Sequence, residues 1–457
     1  MLAAASAASH LLVVAPKEWT AIAETFAAEK RALPWIASCE VASVEALQEG
    51  QSGDEAERLK RGLFARWSLP GKPRFDSVLF VGDMHVLPTR YMMLDRVTKA
   101  ACDVAFYPSD LYFADLTDDA GAFEDWNARI DGIHGRYIGE VHGEAGKSGP
   151  IDADGCGLVP EIAVGRWPVA TSEEAKAVAE KSLRHERAVE AARRAGADGA
   201  EPGSPAWLAC PISPALVVAC GEWIDNQARI TAVADRLKPA FSVACLTYFD
   251  SDPARRPDSE RVSAAMHAGT SLILHTGHGE PDGWQHGLRA ADLPKSSLAD
   301  RACLPVVLSI GCSTAVVAPQ PPYEPYRDAD GIDHQGTNAG EVFESPPPPP
   351  ACLQPRKFAH ASIGAKSVTM PSGGAVAYIG CTTGSQPCAH TLLDEFARAL
   401  ADQPSAAAGE AWKHSLTRYV TLERLRELTP SESWYPPSIY FQPMKFIFLG
   451  DPSVRIR

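Results

Sequence analysis

Ser271-Leu272-Ile273-Leu274-His275-Thr276-Gly277-His278-Gly279 and Leu304-Pro305-Val306-Val307-Leu308-Ser309-Ile310-Gly311-Cys312-Ser313 are the two stretches of this 457-residue chain on which its architecture turns. Each is a short apolar run that breaks into a glycine-containing loop. That is the pattern of a strand buried on both faces and ending at the edge of a parallel sheet. Each loop also delivers a residue with chemistry of its own, His278 in one and Cys312 in the other.

The same rhythm extends in both directions. Downstream of residue 200, Ala215 to Cys220 and Ser242 to Leu246 read as strands, Asn226 to Leu237 and Ser259 to Ala268 as helices, and Ala375 to Ile379 as a further strand. Upstream, Leu11 to Val14, Val78 to Val81 (running into Gly82-Asp83) and Ile162 to Arg166 read as strands. Glu18 to Ala32, Asp54 to Trp67 and Ser172 to Ala195 have helical composition, and Asp110 to Asp119 is an acidic turn region. Alternation of this kind predicts an α/β protein with mostly parallel sheets flanked by helices. The Gly-, Ala- and Pro-rich stretch Gly196 to Pro205 divides it into an N-terminal α/β subdomain, 1–200, and a second one, 201–457. Pro321-Pro322, the acidic run near Asp328 and Pro346 to Pro350 mark an irregular insertion at about 318–367.

Bulk properties exclude several classes of function. A formal charge of -14, with no concentration of Lys and Arg, argues against binding nucleic acid or an anionic membrane. No window reaches the ~20 apolar residues of a membrane helix. The start, Met1-Leu2-Ala3-Ala4-Ala5-Ser6, has no basic segment ahead of a signal-like apolar run. The expectation is a cytoplasmic chain, or a secreted one from which a leader has been removed. Cysteines number 11, and Cys210, Cys220, Cys245 and Cys303 lie in apolar runs, which reads as buried free thiols rather than a disulfide framework.

Ligands of open α/β sheets sit beyond the carboxyl ends of the strands, where His278 and Cys312 fall. A cysteine beside a histidine is an activated nucleophile: the thiolate attacks, and the imidazolium stabilises it and protonates a leaving amine. Gly279, lacking a Cβ, can bring its backbone N–H to a reacting carbonyl and, with the N–H of Cys312, form an oxyanion hole. Other readings of the same residues are a buried core thiol, a loop histidine, a metal set of His275, His278 and His286, and a serine nucleophile elbow at Ser313. The metal set lacks a carboxylate or Cys at ligand spacing, and the elbow lacks its second glycine.

The run Ala268 to Gly279, then Trp284, then a strand ending in Cys312, resembles the gingipain-type cysteine peptidases of the caspase-like clan. Further blocks follow the family's order: Val78 to Asp83 with Pro88, Ser109-Asp110-Leu111-Tyr112 with Asp115, Pro160 to Pro168 including Gly165-Arg166, Gly374 to Ile379, and Phe448 to Ser453. The resemblance implies a caspase-like catalytic subdomain at 201–457 and a cysteine endopeptidase, with His278 as general acid/base, Cys312 as nucleophile and Gly279 in the oxyanion hole. It places Glu222 beside the catalytic histidine and Trp284 along the pocket for the residue before the scissile bond. Asp225 becomes the candidate acid for an Arg or Lys there. The loop from Glu222 to Asn226 is shorter than the family's pattern. Relatives often bind calcium, and Asp110 and Asp115, with Asp118 and Asp119, offer hard oxygen ligands without EF-hand spacing. No other cofactor is required, and the implied partner is a peptide or protein substrate. The rival readings are a transpeptidase or sorting enzyme using the same pair, and a catalytically silent peptide-binding module of the same fold.

Overall fold

The computed structural model describes residues 8–95, 104–126, 155–194, 214–221, 226–293, 303–343, 347–358, 360–428 and 435–456. Its centre is a ten-stranded sheet. In chain order the strands are β1 (Ser9–Ala15), β2 (Ile36–Ser43), β3 (Ser77–Val81), β4 (Ala163–Trp167), β5 (Pro214–Ala219), β6 (Ser242–Thr247), β7 (Leu272–Thr276), β8 (Val306–Ser309), β9 (Ala377–Cys381) and β10 (Phe446–Gly450). Across the sheet they run β2-β1-β3-β4-β10-β9-β8-β7-β5-β6. Every neighbouring pair is parallel except β9 with β10, so the sheet consists of two oppositely directed parallel blocks joined at one antiparallel seam.

The strands are apolar throughout because both faces are covered. Side chains alternate between two cores: Leu272, Leu274, Val306 and Leu308 enter one, Ile273 and Val307 the other. Helices Glu55–Trp67, Gln227–Leu237, Ala389–Asp402 and Ala408–Leu422 close the first core. Thr20–Lys30, Ser172–Arg194, Ser259–Gly269 and Ile363–Thr369 close the second. Caps fix several starts: Asp54 accepts from Glu57 N at 2.9 Å, Asp258 from Arg261 N at 2.8 Å and Ser362 from Ala365 N at 3.3 Å. Among the described residues no helix is long and apolar enough to cross a membrane.

Most elements read from the sequence fall within a residue or two of their places. Strand β2, the antiparallel pair Arg90–Asp95 with Val104–Ser109, and the two helices after residue 388 were not read. Helix Ile363–Thr369 lies inside the stretch read as irregular. One thiol differs from expectation: Cys303 is disulfide-bonded, whereas every other described cysteine is free.

Beneath the second core lies a closed ion network. Lys30 Nζ donates to Glu186 Oε2 at 2.5 Å and Asp451 Oδ2 at 2.8 Å, with all three side chains fully buried. It ties two helices to the residue that follows β10. The insertion is organised around another charged cluster. A short ribbon pairs Tyr326–Arg327 with Asp333–His334. Ring nitrogens of His334 bond both Glu341 Oε1 at 2.8 Å and Asp328 Oδ2 at 3.0 Å. Partial burial alone would pull the His334 pKa down, but these two carboxylates outweigh it and raise it. Main-chain bonds from Thr89 to Cys352 O, Gln354 to Met84 O and Phe106 to Pro321 O dock the insertion on the N-terminal half.

Two outcomes are expected. Lys30→Met strands two buried carboxylates and lowers the unfolding free energy by about 3–5 kcal/mol, measured by urea titration. The His334 clasp is fully present below about pH 6.5 and lost as pH rises through its raised folded pKa. Amide exchange at Gln335 and Gly336, whose N–H groups bond Glu341 Oε2 at 2.6 and 2.8 Å, then accelerates beyond the intrinsic pH effect as pH rises above about 6.5. The acidic partners Asp328 and Glu341 are held below their ordinary range, so their side of the clasp fails only in acid.

Candidate active site

Strand order fixes where ligands can bind. Within the C-terminal block the order β6-β5-β7-β8-β9 reverses direction between β5 and β7, and the crevice beyond the carboxyl ends of these strands is the expected binding place. His278 leaves β7 and Cys312 leaves β8 at this edge, and the two strands are parallel neighbours with His275 opposite Ser309. The loops pack backbone to backbone. A Cβ on Gly279 would stand 2.7 Å from Cys312 O and 3.0 Å from Cys312 N, and one on Gly311 would stand 3.1 Å from Gly279 N. Only glycine permits this approach, and it sets the Gly279 and Cys312 amides side by side.

The Cys312 loop turns sharply. Ser313 holds a left-handed backbone, φ 55°, rare for a residue with a side chain. The turn is secured by Ser313 N to Thr383 O at 2.8 Å and Ala315 N to Cys381 O at 2.9 Å. Those acceptors are the last residue of β9 and the loop leaving it, and that loop reaches the sulfur: Ser385 N donates to Cys312 Sγ at 3.3 Å. Cys312 is half-buried and His278 exposed. The nearby thiols Cys220 and Cys381 are buried, which pushes each up to about 12 and keeps both protonated.

His275 and Trp284 form the floor. The His275 ring stacks on Trp284, centroids 4.1 Å apart and 4° from parallel, and its Nδ1 lies 2.8 Å from Ser309 Oγ. Burial drives the His275 pKa down to about 3, so the ring is neutral, and among the described residues His275, His278 and His286 do not converge as a metal set. Trp284 is wholly enclosed, its Nε1 donating to Tyr378 Oη at 3.0 Å. The indole is closed off from solvent, as a core reading of this residue has it.

Strand β5 ends at Ala219 on the same edge, but Glu222 and Asp225 lie outside the described residues. The acidic cluster does not fit a calcium ion. Asp110 forms a buried two-pronged pair with Arg166, both bonds 2.8 Å. Asp115 accepts from Trp126 Nε1 at 2.8 Å and Leu158 N at 3.1 Å, and burial raises its carboxyl to about 7. Asp118 bonds its own turn, and Asp119 pairs with Arg426. Among the described residues no three His, Cys, Asp or Glu side chains converge as metal ligands. The functional contact that the sequence reading missed is Ser385. Its signal was present: Ala377 to Cys381 is a strand of the same block, and its exit loop, with Gly384-Ser385, had to reach the same edge.

The model of peptidase family C25 matches residues 4–457. Among solved structures, the Arg specific cysteine proteinase gingipain R (RGPB) superposes with a TM-score of 0.58 at 14% identity, covering 100% of this chain and 80% of that one. The complex of Porphyromonas gingivalis RgpB pro- and mature domains gives 0.57 at 15%, covering 98% of this chain and 80% of that one. At such identities these likenesses establish the caspase-like fold. No curated protein sequence matches the chain.

Replacing Gly279 with alanine drives a methyl group into the Cys312 peptide. Expected is at least a 100-fold loss of turnover, with a far-UV circular dichroism spectrum that matches the parent's.

Proposed function

This chain belongs to peptidase family C25 and is a cysteine peptidase, and from that premise we propose that it cuts peptide bonds through a Cys312–His278 dyad and a thioester intermediate. The observation that carries the reading is the glycine-permitted contact between the His278-Gly279 and Gly311-Cys312 backbones at adjacent strand ends.

The Cys312 thiolate attacks the scissile carbonyl carbon, and the oxygen takes up the negative charge between the Gly279 and Cys312 N–H groups. Collapse of that tetrahedral adduct breaks the C–N bond as His278 gives its proton to the departing amine. A water then loses a proton to His278, adds to the thioester carbonyl, and releases the carboxylate with the Cys312 thiol restored. Glu222, which follows β5 in the sequence, orients the imidazole and favours its charged form.

Preference for Arg or Lys before the scissile bond is the finer part of the proposal. It is supported by Asp225 on that same exit loop, a carboxylate suited to a guanidinium or ammonium, and by the Arg specificity in the name of the solved relative.

Cys312→Ala and His278→Ala are each expected to lower cleavage of a peptide library by at least 1,000-fold, a loss typical of nucleophile or base removal. Cys312→Ala protein that cleaves at the parent rate rejects the dyad. Parent protein that passes its acyl group to an added amine in preference to water makes it a transpeptidase instead. Library cleavage that ignores Arg and Lys rejects the Asp225 pocket.

A further inference from the structure

The nucleophile rests on a loop, Thr382 to Gln386, that is itself held from below. Gln442 is fully buried at the turn into β10. Its Oε1 accepts from Gln386 N at 3.2 Å, and its Nε2 donates to Ser385 Oγ at 2.9 Å. Three residues on, the Lys445 carbonyl accepts from Thr382 N at 2.8 Å and Thr382 Oγ1 at 3.0 Å, while Lys445 Nζ donates to Gly384 O at 3.2 Å. From the other side Thr383 O accepts the Ser313 amide, and Cys381 O, at the end of β9, accepts that of Ala315. Both polar groups of Gln442 are spent on Ser385 and on Gln386, the residue after it. Cys312 Sγ accepts from the Ser385 N–H at 3.3 Å and, as a thiol, lies 3.7 Å from the Ser385 carbonyl, a donation that the thiolate gives up.

We propose that Gln442 is a positioning residue for the nucleophile, one that aims the Ser385 N–H at the Cys312 sulfur by holding the donor residue Ser385 and its successor Gln386. The proposal rests on Cys312 being the attacking group and deepens that reading. A backbone N–H at this distance stabilises negative charge on sulfur more than it stabilises the neutral thiol, since hydrogen bonds to an ionised partner are the stronger kind. The bond works only if the loop does not drift, because its strength falls steeply with angle. Loops are mobile by default, and this one carries a glycine at 384. A buried side-chain amide that satisfies one donor and one acceptor of the loop together removes that freedom. The nucleophile thereby depends on the segment that enters the antiparallel strand β10, more than 120 residues further along the chain.

The test uses Gln442→Met, which keeps most of the volume and removes both bonds, beside Gln442→Glu, which keeps an acceptor for the Gln386 N–H and for a Ser385 hydroxyl turned to donate. Two readouts are followed: the rate of Cys312 alkylation by iodoacetamide at pH 7, located by peptide mapping, and kcat and KM on a cleaved peptide. Expected are an alkylation rate at least fivefold lower in Gln442→Met, a fall in kcat with KM within twofold, and recovery of at least half the alkylation rate in Gln442→Glu. If Gln442→Met fails to fold, Ser385→Ala, which deprives Nε2 of its acceptor but keeps the Ser385 N–H, is expected to slow alkylation at least twofold. Parent-rate alkylation of Cys312 in a folded Gln442→Met protein, or in Ser385→Ala, overturns the proposal. A parent protein that alkylates Cys312 preferentially yet cleaves no peptide counts against the peptidase reading alone, because the alkylation comparison still reads the role of Gln442.

Discussion

A contact between two backbones without side chains governs this molecule. Gly279 lies so close to Cys312 that an alanine there would clash, Gly311 packs tightly on Gly279 from the other loop, and this approach brings the exits of β7 and β8 together. Parallel neighbours are about 4.8 Å apart along the hydrogen-bonding direction, so their loops usually diverge under the bulk of the first side chains. Removing that bulk at two facing positions lets the main-chain amides of Gly279 and Cys312 stand side by side. The meeting of these two loops depends less on any ionisable pair than on this missing volume. Gly277, at φ 130°, extends it by letting the chain turn where a Cβ would meet Cys220.

The rest of the fold supports that contact by being continuous. One sheet runs through both halves, and its antiparallel seam lies one strand from β8, the strand that leads to the nucleophile. Strand β10 supplies that seam, and the residues just before and after it are anchored in opposite ways. Gln442 and Lys445 grip the loop beneath Cys312, whereas Asp451 enters the buried network with Lys30 and Glu186. Force on one end of β10 is therefore resisted by two helices of the N-terminal half. A division of the chain near residue 200 has to be reconciled with a hydrogen-bonded ladder that crosses it, from Arg166 in β4 to Leu449 in β10.

Legibility in the sequence followed locality. Ser271 to Gly279 and Leu304 to Cys312 were readable because a doubly buried strand is apolar at every position and a glycine ends it. Period and punctuation agreed there. Strand β2 escaped because it is the sheet's edge: Glu40, Ser38 and Ser43 interrupt its apolar pattern, as a half-exposed strand allows. The family resemblance places Trp284 along the pocket, with a core position as the other reading. Its burial depends on stacking with His275 and bonding Tyr378, partners that no spacing reveals. Asp110 and Asp115 looked like hard ligands because their cationic and indole partners, Arg166 and Trp126, are distant or unmarked in sequence.

Thiol environment supplies the last step. Cys39, Cys220, Cys352 and Cys381 are each pushed up to about 12, with burial the leading cause in every case. Buried sulfur in apolar surroundings is inert, and these thiols serve as small apolar side chains. Cys312 differs in three ways that do not depend on its being a cysteine. It sits past a strand end rather than within the strand, it is only half-buried, and a backbone N–H points at its sulfur. Cys381 sharpens the contrast, since it ends β9 one strand away on the same edge of the sheet and is fully buried. Two cysteines that look alike in composition are thus separated by where the strand stops. Cys381 is the last residue of its strand and stays part of the core, whereas Cys312 stands three residues past Ser309, where β8 ends.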